Sequence, residues 1–127
     1  MAAEAAPFAD AAADLTDTYW QLAEVAGTPA RTMPGEREAY LLLMDGLATG
    51  GSGCNKLMGP YTLGAAGVLR FGALASTRMA CPPALATQEA ALNDAFARTS
   101  AYRIEGETLS LLDGGQLLAR FIARRRD

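Results

Sequence analysis

Asp45-Gly46 separates two apolar runs, Ala39–Met44 and Leu47–Gly50. An Asp-Gly pair in that setting is the strongest short hairpin signal, because both central residues of a type I′ turn need positive φ. The chain is thereby committed to antiparallel pairing, and similar punctuation recurs along its length. Tyr19–Val25 (YWQLAEV) predicts a first strand, with Trp20 and Leu22 on one face and Gln21 and Ala23 on the other. The stretch GTPARTMPGERE, with Pro29, Pro34 and Gly35, reads as a loop. Gly59–Leu63 and Val68–Phe71 form a second pair around Gly64-Ala65-Ala66-Gly67. Past Ser100, Tyr102 and Ile104 alternate with Arg103 and Glu105, and Glu105-Gly106 turns the chain into Thr108–Leu112. Asp113-Gly114-Gly115 turns it again into Gln116–Ala123, where Leu117, Ala119 and Phe121 oppose Arg120.

One segment breaks the pattern. Pro82-Pro83 followed by ALATQEAALNDAFART predicts a helix, with proline in its first turn and Glu89 nearer its positive end. Leu85, Leu92 and Phe96 share a stripe, with Ala95 beside it, and that stripe reads as core. The expected fold is mainly β with one helix: a small, partly open barrel of about eight strands, the helix packed on or into it. A barrel of that size is either filled by its own side chains or just wide enough for one small ligand.

The chain has 127 residues, enough for one self-sufficient core. Its net charge of −3 gives no general attraction for nucleic acid or anionic membrane. It contains no histidine, which removes the Ser-His and Cys-His triads and the commonest metal ligand. Two cysteines are too few for a zinc ribbon, so neither a metal nor a cofactor is expected. No apolar run approaches a membrane span. Residues 1–14, alanine-rich and without a basic start or an apolar stretch, read as a flexible extension rather than a signal peptide. Residues 15–123 form the domain, and residues 124–127, with Arg124-Arg125-Arg126, read as a solvated tail.

The most conspicuous stretch is GGSGCNKLMGPY, residues 50–61. As a phosphate loop it fails, since Asn55 precedes Lys56 and Leu57 follows where a magnesium-binding hydroxyl is needed. As a nucleophile elbow it fails too, with Cys54 where glycine belongs and no histidine to activate Ser52. Gly50, Gly51, Gly53 and Asn55 instead describe a sharply folded rim between two strands, since these residue types tolerate left-handed φ.

Cys54 and Cys81 admit more than one reading. A bridge between them would close a loop of roughly 28 residues and contribute about 3–4 kcal/mol in the chain-entropy model. Two reduced thiols packed as small hydrophobes is the competing account. A reactive thiolate at Cys54, its pKa lowered by Lys56 and Arg78, is a third. Arg78 lies in an otherwise uncharged run from Phe71 to Gln88. Its planar fork suits it to anchoring backbone carbonyls of the rim, or else to presenting charge to an anionic partner.

Taken in order, Trp20 and Leu22, then Gly50 to Tyr61 with its central GCN, then Ser76-Thr77-Arg78-Met79-Ala80-Cys81, resemble the META domain family. The helix around Glu89 and the pattern from Tyr102 to Leu111 agree, so the resemblance spans roughly Leu15 to Ala123. It implies a lipocalin-like barrel with one helix, and fold hallmarks at Trp20, Gly53, Cys54, Asn55, Gly59, Tyr61, Thr77, Arg78 and Cys81. Lys56 joins the rim as a candidate binding residue. The family has no established catalytic residue, so none is assigned here. Its members are mostly bacterial envelope proteins, some linked to heat shock or drug resistance. The resemblance therefore implies a monomeric, non-enzymatic binding or stress-tolerance module in the periplasm, secreted or at the outer membrane, any leader lying outside this chain. An unidentified partner protein or a small apolar ligand is its expected target. The residues leave two other readings open: a thiol-based redox sensor or enzyme using Cys54 and Cys81, and an inhibitor-like module that offers its glycine rim to a target. The chain departs from the lipoprotein members in having no lipobox cysteine near its start.

Overall fold

Asp45 and Gly46 take left-handed φ of 52° and 83°, and the strands on either side pair from Ala39↔Ser52 to Met44↔Leu47. This hairpin belongs to a computed structural model that describes residues 13–35 and 37–124. Around it lie β1 (Tyr19–Val25), β2 (Thr28–Pro29), β3 (Ala39–Met44), β4 (Leu47–Ser52), β5 (Lys56–Leu63), β6 (Leu69–Phe71) and β7 (Ala75–Ser76). The single long helix among the described residues, α1 (Pro83–Arg98), follows, and then β8 (Ala101–Glu105), β9 (Thr108–Asp113) and β10 (Gln116–Arg124).

Eight strands run in the order β6-β5-β4-β3-β1-β10-β9-β8, with antiparallel pairing throughout. The two end strands meet through a Val68↔Ala101 bridge and a hydrogen bond from Leu69 N to Ser100 O at 3.2 Å. The result is a nearly closed barrel with one unsealed seam, as the sequence led us to expect. The two remaining strands were unforeseen. β2 folds back on β1 and β7 lies along β5, each only two residues long.

Inward-facing side chains fill the barrel. Trp20, Leu41, Leu43, Leu69, Leu92, Phe96, Leu109, Leu111 and Phe121 are all fully buried. The expected alternation is broken at two bulges. In β1 the register shifts between Leu22 and Glu24, so Val25 as well as Trp20 and Leu22 turns inward. In β10 it shifts between Leu117 and Ala119, which buries Leu118 in place of the expected Leu117. Helix α1 touches β1, β4, β6, β9 and β10. It presents Leu92, Ala95 and Phe96 to the core, and so plugs the barrel, while Leu85 is buried under Gly53 at the rim.

The ends of the domain differ from the expected 15–123. Ala13 N donates to Gly106 O at 2.9 Å, and Trp20 Nε1 donates to the Leu15 carbonyl at 2.9 Å. Arg124, read as tail, is the last residue of β10 and pairs with Tyr19. The rest of the expected extension and tail, residues 1–12 and 125–127, lies outside the described residues. Among the described residues, no helix is long and apolar enough to cross a membrane.

Candidate functional site

β4 ends at Ser52 and β5 begins at Lys56, so the connection is only Gly53, Cys54 and Asn55. Ser52 folds it: the Ser52 hydroxyl accepts from Asn55 N at 3.0 Å, and Ser52 N donates to Asn55 O at 2.9 Å. Gly53 alone takes left-handed φ here, at 97°. Gly50 and Gly51, expected in the bend, are strand residues instead, needed for close approach. A Cβ on Gly50 would lie 2.8 Å from Tyr40 O, and one on Gly51 2.9 Å from the Tyr40 ring.

Asn55 is 4 % exposed and clasps a second loop onto the first. Its Oδ1 accepts from Met79 N at 2.7 Å and from the Thr77 hydroxyl at 3.0 Å. Its Nδ2 donates to Glu89 Oε1 at 2.9 Å and to Met79 O at 3.4 Å. Thr77 completes the join: Lys56 N donates to Thr77 Oγ1 at 2.9 Å, and Thr77 N donates to Lys56 O at 3.1 Å. Cys54 and Cys81 are disulfide-bonded, with Cα atoms 6.0 Å apart, so neither is a free thiol. Two loops distant in sequence thus become one doubly fastened rim.

Three residues that sequence reasoning missed hold this rim to the helix. Ser52 Oγ donates to Glu89 Oε1 at 2.7 Å. Gln88 Nε2 donates to Ser52 O at 2.9 Å and to Arg31 O at 3.2 Å, while its Oε1 accepts from Arg31 N at 2.7 Å. The signal for Gln88 was available in the helical spacing, because it lies three residues after Leu85 and four before Leu92, on the buried stripe. The first turn of α1 carries no acidic residue, and Glu89 serves the rim as a hydrogen-bond acceptor.

The sequence-derived residues divide in two. Gly53, Cys54, Asn55, Lys56, Thr77, Arg78 and Cys81 come together at the rim. Trp20 and Tyr61 are core side chains, and Gly59 sits in β5 under the chain at Ala73 and Leu74, where a Cβ would come within 2.6 Å of Ala73 O. Arg78 does not anchor the loops as expected. Its side chain is exposed and has no hydrogen bond or ion pair among the described residues. Lys56 and Met79 are exposed beside it, Met79 by 56 %. An open cleft of about 430 Å³ adjoins them, bordered by Arg37, Tyr40, Gly53, Lys56, Thr77 and Met79. Among the described residues, no three His, Cys, Asp or Glu side chains gather in a way that would hold a metal.

The arrangement defines a class: a small helix-plugged β-barrel domain whose one rim is a disulfide-stapled double loop. The chain belongs to the META domain family, whose profile matches residues 13–125. It is similar to a Burkholderia xenovorans protein of known NMR structure, 30% identical, with 88% of this chain and 85% of that one covered and a TM-score of 0.70. A second NMR structure, 22% identical, shares the fold at a TM-score of 0.67 over 85% of this chain and 91% of the other. No curated protein sequence matches the chain.

Proposed function

We propose that this META domain is a non-enzymatic binding module of the bacterial cell envelope that engages a partner protein through its stapled rim, with a role in stress tolerance. One observation carries the reading: the Asn55 clasp and the Cys54–Cys81 bridge fix a double loop that holds Lys56, Arg78 and Met79 outward. Rigid loops bearing solvent-facing side chains lose little freedom on binding, so more of the contact energy appears as affinity. An exposed methionine beside two cations that have no side-chain partner among the described residues suits a partner with an apolar pocket and an acidic border. The bridge supports an oxidising compartment such as the periplasm or the cell exterior. The packed interior favours a partner on the surface over a ligand inside the barrel.

A photo-crosslinking residue placed at Met79, with one at Glu105 as control, tests this in cells of the source organism. The expected result is one discrete adduct from position 79, absent from position 105 and lost in Arg78→Glu while the melting temperature holds. Equal labelling from both positions, or an adduct indifferent to Arg78→Glu, would sink it.

A further inference from the structure

On the far side of Gln88 from the rim, a cleft of about 380 Å³ lies between α1 and the β1–β2 hairpin. That volume is in the range of small-molecule sites. Its walls are short and mostly apolar: Val25, Ala26, Pro29, Ala84 and Ala91, with Thr28 and Thr87 at the edges. Ala26 and Gly27, at φ 53° and 78°, make a tight two-residue turn that fixes the hairpin side. Gln88 forms the floor, and its amide is spent on the protein, bonding Arg31 N, Arg31 O and Ser52 O.

Among the described residues, Arg31 is the one charged residue lining the cleft. Its backbone is clamped on both sides by Gln88, so the side chain starts from a fixed point. Its guanidinium is exposed and has no hydrogen bond or ion pair among the described residues. Glu24, the nearest acid along β1, is already paired with Arg120 at 3.1 Å.

We infer that this cleft binds a small amphiphilic carboxylate, its apolar body against Ala26, Pro29, Ala84 and Ala91 and its carboxylate on the Arg31 fork. A guanidinium matches a carboxylate with two parallel N–H donors, and the apolar wall gains from covering a hydrocarbon body. The site stands apart from the rim and does not depend on the partner proposed for it.

Octanoate is a suitable probe, with octanol as its uncharged counterpart, followed by amide NMR shifts on the whole chain. Octanoate is expected to shift Val25, Ala26, Arg31, Thr87 and Ala91 saturably, with a dissociation constant of about 1 mM or below. Arg31→Gln weakens octanoate about tenfold and leaves octanol unchanged. Thr87→Trp, an exposed helix position at the cleft edge, fills the space and abolishes both. The rim variant Arg78→Glu binds octanoate as the wild type does. The inference is overturned if octanoate gives no saturable shifts at these amides, if Arg31→Gln binds it equally well, or if Thr87→Trp leaves binding intact.

Discussion

Asn55 shows how much one side chain can organise. Both of its amide ends are used, and the partners they meet belong to two separate segments, the 77–79 loop and helix α1, while its backbone N–H closes its own turn on the Ser52 hydroxyl. Asn55→Ala would strip Met79 N of its acceptor and leave the cavity of the side chain behind. The expected cost is about 2–3 kcal/mol, read as a lower urea midpoint with an unchanged slope. Asn55→Asp should cost more near neutral pH, because it sets a second carboxylate against Glu89. A loss under about 0.5 kcal/mol for Asn55→Ala would put it among ordinary surface changes and remove the clasp from the account. Gly59 makes the same point about space rather than bonding. A Cβ there would meet Ala73 O and Leu74 Cδ2, each at 2.6 Å, so Gly59→Ala is expected to lose about 3 kcal/mol by thermal melting. The GCN stretch announced that such residues matter, yet it did not tell which glycine bends and which merely makes room. That distinction depends on Tyr40, a neighbour across the sheet.

The bulges in β1 and β10 aside, strands such as β1, β8 and β10 were legible because half-buried strands must repeat every two residues, and β3 and β4 because Asp45-Gly46 lies between them. β2 and β7 were not, since two residues cannot show a period and Ala26-Gly27 is a poor advertisement for a left-handed turn. The rim as an element was half legible: its cysteines and asparagine stood out, whereas Ser52 and Gln88 looked like ordinary polar residues. Its two fasteners are separable in energy. The bridge spans a sequence separation of 27, and its removal in a Cys54→Ala, Cys81→Ala double variant should cost about 3–4 kcal/mol, chiefly by freeing the unfolded chain. The Asn55 bonds remain in that variant, so the barrel's circular dichroism and the 77–79 amide shifts should persist at low temperature. Collapse of those shifts on reduction would mean that the sulfur bridge alone shapes the rim.

At the scale of the whole molecule, the barrel is one sheet whose ends nearly meet, and the plug does what missing strand pairing cannot. The seam between β6 and β8 is held at the Val68↔Ala101 bridge, Val68 lying just ahead of β6, while beyond it the exposed Arg103 and Glu105 blunt the β8 edge against pairing with other chains. Besides the fully buried Leu69, β6 is tied to the interior by Phe71, whose ring centroid lies 5.0 Å from that of Phe96 on α1 at a tilt of 57°. An edge-tilted aromatic pair adds attraction beyond the area it buries. Phe71 is only half-buried, so Phe71→Ala should fall short of a full core truncation, at about 2 kcal/mol. The more telling expectation concerns where that loss is felt. Amides of β6 and β8 should exchange with deuterium sooner than those of β1 and β10, because local opening follows the region with the fewest cross-strand bonds. Uniformly faster exchange in every strand would mean that the barrel opens as a unit and that the seam is no weaker than the rest. Faster exchange confined to the seam would mark it as the place where this fold first comes apart.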